Sequence, residues 1–275
     1  MKIYFILIIL LEIVLSDVTA SDIYIESNNT SSIVAGQLAD DGEYPFYAIP
    51  EDGFLCGATL IHPDILMSAG HCQGRMRSFV SNAFFSGGSH AYIGGNKLDG
   101  SDAVEIIDVE LERRHPNYNR ETMTNDELLI KLAAPSSSPV AKRNTNPAVP
   151  ADGDTIKIIG FGTTQYQVAE NSEDLLELEL SVVNFETCDA VSSAAYNGRV
   201  RVDDDTMLCS DAAGHGPCYG DSGGPVLSSD GTVVGIMSWL INGCAAENSL
   251  GVYARVSAFD DFIRDGICEM SELSS

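Results

Sequence analysis

Hydrophobic positions along this chain recur in short runs separated by turn residues, the pattern of many strands and few helices. Thr155–Ile159 and Thr232–Met237 are β-branched and apolar, as strands buried in a sheet would be. Leu176, Leu178 and Leu180 alternate with Glu177 and Glu179, which predicts a half-exposed strand. Residues 133–154 hold Pro135, Pro139, Pro147 and Pro150 and three consecutive serines, so they read as a linker between two β units. One helix is predicted, at the end. Ser257 followed three residues later by Asp260 resembles a capping box, and Phe259, Phe262 and Ile263 fall on one face. No internal repeat is evident.

The first residues follow a different rule. Lys2 precedes an apolar run from Ile3 to Leu15, interrupted only by Glu12. The run is shorter than the roughly 20 residues a bilayer-spanning helix needs. A positive start, a short apolar stretch and then small residues predict a signal peptide over 1–20, with cleavage after Ala20 or, as a second candidate, after Ser16. The chain is therefore expected to be secreted and extracellular.

Composition narrows the function classes. The 275 residues are 44% hydrophobic and 20% charged, enough to bury a core, which excludes a disordered or collagen-like chain. Formal net charge is -25, so nucleic acid and anionic membrane surfaces are not expected partners. Export makes Cys56, Cys72, Cys188, Cys209, Cys218, Cys244 and Cys268 disulfide candidates, with at least one left over. No C-x-x-C or H-x3-H spacing supports zinc, and no metal or cofactor is expected.

Candidate chemistry centres on Gly220-Asp221-Ser222-Gly223-Gly224-Pro225. A serine between glycines lets a substrate carbonyl approach the backbone, whose N–H groups can face the oxygen that becomes negative in acyl transfer. The segment also satisfies the G-x-S-x-G elbow of another hydrolase fold, where the histidine follows the serine. Here His62, His71, His90, His115 and His215 all precede Ser222, so the elbow, and with it a lipase or esterase, is rejected. His71, in Ser68-Ala69-Gly70-His71-Cys72 at the end of an apolar run, is the candidate base. Asp126, just before the apolar run from Leu128, is the candidate third member.

These segments resemble the trypsin/chymotrypsin family of serine proteases. The resemblance runs from Ile33 to about Ile267. It is carried by Ile33-Val34-Ala35-Gly36, Ser68–Cys72, Asp126–Leu129, Gly220–Pro225, Ser238-Trp239 and Gly251-Val252-Tyr253, in the family's order. It implies an all-β fold of two antiparallel six-stranded Greek-key barrels. The implied divisions are a pro-segment at 21–32, barrel 1 at about 33–135, a linker at about 136–153, barrel 2 at about 154–256 and a helix at about 257–267. The implied roles are Ser222 as nucleophile, His71 as base, Asp126 as its orienter, and the N–H groups of Gly220 and Ser222 as the oxyanion hole. The implied disulfides are Cys56–Cys72, Cys188–Cys209 and Cys218–Cys244.

The resemblance further implies a zymogen, with cleavage before Ile33 freeing an amine that pairs with Asp221; the uncleaved chain would lack that pair. Ser32 stands where trypsin-type zymogens carry arginine or lysine, and no basic residue lies between Asp17 and Ser32, so the activator is expected to be non-tryptic. Overlapping sequons at Asn28 and Asn29 suggest an exposed pro-segment. The specificity pocket would be built from Gly216, Ser238, Trp239, Leu240 and Gly251. Gly216 occupies the position where trypsins carry the aspartate that binds Lys or Arg, and Leu240 should narrow the pocket. The expectation is an endopeptidase preferring uncharged apolar P1 residues, acting on proteins or peptides and open to protein inhibitors. The competing expectation is a catalytically silent homologue that binds partners. Gly95 replaces the acid that opens the calcium loop of trypsins, so residues 95–102 read as a solvated turn. Glu127 stands where an apolar residue is usual.

Overall fold

Buried β-branched and leucine-rich runs close on themselves twice. A computed structural model describes residues 33, 35–50, 55–74, 89–163 and 170–272; the expected signal peptide, pro-segment, sequons and Ser32 lie outside the described residues. Barrel 1 comprises β2 (Tyr47–Pro50), β3 (Ala58–His62), β4 (Ile65–Ser68), β5 (His90–Ile93), β6 (Glu105–Arg114) and β7 (Leu128–Leu132). They run antiparallel in the order β2-β3-β4-β7-β6-β5, with β5 closing on β2. Barrel 2 comprises β8 (Thr155–Gly160), β9 (Leu176–Val183), β10 (Met207–Asp211), β11 (Pro225–Ser228), β12 (Val233–Ile241) and β13 (Leu250–Arg255). Its order is β8-β9-β10-β13-β12-β11, closed by β11 on β8. Closure leaves neither barrel a bare edge.

The chain ends tie the barrels together. β1 (Gln37–Leu38) precedes barrel 1 in sequence yet pairs with β9 of barrel 2. Ile33, fully buried, packs in the barrel-2 core with Ile156, Ile158 and Tyr253. The C-terminal helix α2 (Asp260–Glu272) follows barrel 2 but lays Ile263 and Met270, with Phe259 of the turn before it, into the same core as Leu129 of β7. Among the described residues no helix is long and apolar enough to cross a membrane.

Three local expectations change. Ser257 caps nothing: its buried hydroxyl has no partner among the described residues, Val256–Phe259 form a 3-10 turn, and the α-helix starts at Asp260 and runs five residues further than 267. A second helix, α1 (Phe185–Ala195), is capped by Asn184, whose side chain accepts the Thr187 N–H at 2.8 Å. Glu177, on the supposed exposed face of β9, is buried because Gln37, Tyr44 and Lys157 all donate to its carboxylate.

Candidate active site

His71 sits where β4 runs out of the barrel. Ala69 is extended, and Gly70–Cys72 form a single 3-10 turn anchored by the Cys56–Cys72 disulfide. Ser68 fastens the same corner by donating to the Gly57 carbonyl at 2.8 Å. Asp126 enters just before β7, after Asn125, which takes a left-handed φ of 53° that asparagine tolerates better than most residues. Asp126 Oδ1 accepts the backbone N–H of His71 at 2.7 Å, and Oδ2 lies 2.7 Å from the imidazole Nδ1. Ser238 on β12 donates to Oδ2 as well. Three donors thus serve a carboxylate that is 1% exposed, which offsets its loss of water.

Ser222 comes from barrel 2, on the turn before β11. Its carbonyl accepts the Gly57 N–H at 2.8 Å, directly beside the histidine corner. Gly223 has φ +78°, and a Cβ there would stand 2.2 Å from Ser68 Oγ and 2.4 Å from the Gly57 carbonyl. Only glycine lets the two loops meet this closely. The structure therefore brings the Ser222 turn, His71 and Asp126 together across the inter-barrel cleft. Ser222 Oγ and His71 share no hydrogen bond among the described residues, and in resting enzymes such contacts are often long until substrate tightens them. Gly220 has φ +103°, and neither its N–H nor that of Ser222 meets an acceptor among the described residues. Two unengaged N–H groups around one hydroxyl can stabilise a developing oxyanion.

The profile of the Trypsin family matches residues 33–263. The chain belongs to the trypsin family. Human serine protease 1 is 30% identical over 249 residues, spanning 89% of this chain and 93% of that relative. Trypsin delta of Drosophila melanogaster is 31% identical over 235 residues, spanning 84% and 87%. Human kallikrein-5 is 31% identical over 246 residues, spanning 87% and 78%. With two closed six-stranded barrels, the chain is a trypsin-like serine endopeptidase of chymotrypsin-like fold acting on protein substrates. Three disulfides join Cys56–Cys72, Cys188–Cys209 and Cys218–Cys244, and Cys268 is exposed and free.

Within this family fold, the would-be pocket walls are β12 and β13, paired with Leu240 opposite Gly251. A Cβ on Gly251 would stand 2.4 Å from the Tyr253 hydroxyl, so the strand passes bare over the phenol. Tyr196, at the end of α1, donates to the Leu240 carbonyl at 3.2 Å and tilts its ring against Trp239 at 6.1 Å. The helix absent from the sequence reading thus buttresses this wall; Asn184 with Glu186 in the first turn was the signal for it. Ser238, expected in the wall, turns its hydroxyl to Asp126. Gly216 has φ +119°, and residues 212–220 contain no acid. The nearest upstream, Asp211, accepts the Ser181 N–H of β9 at 2.7 Å and faces His215 at 3.5 Å.

Asp221 is directed inward. Its carboxylate wedges against Gly160 and Gly162, where any Cβ would stand 2.1 Å from a carboxylate oxygen, and it accepts the N–H groups of Gly162 and Cys218. Burial pushes its pKa up to about 7 in spite of both bonds. In the 95–102 turn, the Asp102 carboxylate accepts the N–H groups of Asn96 and Lys97, each at 2.9 Å, so the loop is closed by its own side chain on its backbone. Cys56, Cys72 and His71 converge within 4.8 Å, but the disulfide consumes both sulfurs, so this cluster is not a metal ligand set.

Proposed function

We propose that this chain is a secreted zymogen that hydrolyses peptide bonds with Ser222 as nucleophile, His71 as base and Asp126 as orienter. The observation that carries this is the double attachment of His71 to Asp126 with the Ser222 turn seated against the same corner. Ser222 attacks the scissile carbonyl while His71 accepts its proton and later gives it to the leaving amine. Asp126 fixes the imidazole tautomer with Nδ1–H toward itself and steadies the imidazolium. The N–H groups of Gly220 and Ser222 receive the oxyanion, and loss of one such donor costs about 3–4 kcal/mol.

Residues 1–20 serve export and 21–32 are removed by a protease of non-tryptic specificity, since Ser32 precedes Ile33. The freed amine of Ile33 reaches Asp221 and gives that buried carboxylate a cation. The pocket formed by Gly216, Trp239, Leu240 and Gly251 takes uncharged, small to medium apolar P1 residues. A neutral base supports this, because a lysine or arginine would be desolvated there without a counter-charge. Protein inhibitors that fill the same cleft are the expected antagonists.

The test is labelling with a serine-directed organophosphonate after release of Ile33, followed by peptide mapping. Label on Ser222, and its loss together with nearly all hydrolysis in Ser222→Ala, is the expected result. An activated wild-type chain that takes no label is a silent homologue that binds without cleaving.

A further inference from the structure

Glu127 directly follows Asp126 in the chain and has no part in the chemistry proposed above. It is fully buried, and neither carboxylate oxygen has a hydrogen-bond partner among the described residues. Its backbone, in contrast, is woven into the site. The N–H donates to the Asn125 carbonyl at 2.9 Å, and the carbonyl accepts the His115 N–H at 2.9 Å. Gly70, the neighbour of His71, lies so close that a Cβ on it would stand 3.0 Å from the Glu127 nitrogen and 3.2 Å from Asp126 Oδ1.

An ionised carboxylate in that position has lost its water and gained nothing in return, so the interior selects the protonated form. Burial first, then the adjacent Asp126 charge, hold the Glu127 proton well above the ordinary carboxyl range. The charged groups around it are few. Asp126 adjoins it and connects it to His71. Arg143, from the linker, favours ionisation but is engaged by Asp260 at the head of α2. His115 packs between Phe259 and Phe262, and burial lowers its pKa, so it brings no compensating charge at alkaline pH.

We propose that Glu127 is a positioning residue that works as a neutral carboxyl, and that losing its proton displaces Asp126 and shuts the site at alkaline pH. The proposal rests on the triad reading above. Once ionised, Glu127 must move toward water or toward Arg143. Either path shifts residues 125–127, which carry Asp126 and support Gly70, so the imidazole loses its double anchor. At acid pH Glu127 is neutral and leaves the acid limb of the profile alone.

The experiment compares pH profiles of kcat and KM for activated wild type, Glu127→Gln and Glu127→Leu, normalised by active-site titration. The amine of Ile33 gives every form an alkaline limb, so only the displacement between forms counts. Both variants are expected to carry kcat about one pH unit or more further into alkali, with the acid midpoint unmoved and the effect in kcat and not KM. Alkaline limbs that coincide in all three forms overturn the proposal. Infrared difference spectra on the uncleaved chain read the proton without any need for activity. A protonated-carboxyl band at pH 7 that disappears in Glu127→Gln is expected, and its absence sinks the proposal. A chain that carries the band but never takes the organophosphonate overturns the protease reading, and the gating falls with it.

Discussion

Both oxygens of Asp126 face His71, one on its backbone N–H and one on its imidazole, each at 2.7 Å. The aspartate therefore fixes where the histidine sits as well as which nitrogen carries the proton. Asparagine at 126 can keep one of these bonds but offers an amide N–H where the imidazole proton needs an acceptor. His71 would then turn its unprotonated nitrogen inward and its proton toward Ser222. Asp126→Asn is expected to lower kcat about 10⁴-fold, the magnitude carried over from the family's triads, with little change in KM. Steady-state kinetics on a cleaved ester or amide substrate check it, and a loss below tenfold removes Asp126 from its role.

In the pocket proposed above, Leu240 is the side chain that would keep the site narrow. Its carbonyl is held by Tyr196 and its partner across the sheet is Gly251, so the backbone has no need to move when the side chain is trimmed. Leu240→Gly is expected to shift kcat/KM toward phenylalanine and tyrosine at P1, relative to alanine and valine, by about tenfold or more. A panel of peptides differing only at P1 measures it. A trimmed enzyme with the original ranking would place Leu240 outside the pocket.

Gly216 cannot simply be exchanged for the aspartate of trypsins. Its φ of +119° is one that side chains rarely adopt, and a Cβ there would stand 2.8 Å from the Ala212 Cβ. Gly216→Asp is expected to cost about 1–3 kcal/mol in backbone strain, and the Tm to fall by about 2–4 °C for each of these. Calorimetry checks the loss. A variant that keeps its Tm and cleaves after lysine would show that the loop relaxes freely.

What the sequence disclosed divides along the range of the contacts. The Ser222, His71 and Asp126 segments were legible because each needs particular residues in immediate succession. β8 was legible because its apolar run is local. Glu177 was misread because the donors that bury it, Gln37, Tyr44 and Lys157, come from distant segments. The same holds for Ile33 and β1, whose place in barrel 2 depends on β9 more than a hundred residues later. Ser257 shows the reverse: its motif is local and only resembles a capping box, and a 3-10 turn took the position where the cap would form. Burial of Glu127 had a single signal, the apolar residue usual at that position in the family it resembles; its own carboxylate spells exposure.

Asp221 makes the precursor's stability depend on pH in a direction that can be worked out. Its pKa in the uncleaved fold is about 7, against about 3.9 for an unfolded aspartate. Between those values the fold keeps a proton that the unfolded chain has released. The contribution is therefore full below about pH 4 and is lost as pH rises through about 7, a swing on the order of 4 kcal/mol. Glu105, Asp64 and Glu177, whose pKa values are lowered, slope the other way, so total stability is the wrong readout. The difference between wild type and Asp221→Asn isolates the term, and any lost bond to Gly162 or Cys218 enters only as a constant offset. That difference in unfolding free energy, taken from denaturant titrations between pH 4 and 8, is expected to fall with pH for the uncleaved chain. After release of Ile33 the ionised carboxylate gains a cation, and the fall should disappear or reverse. Equal slopes before and after cleavage would mean that the new amine never reaches Asp221, and the proposed activation step would fail with it.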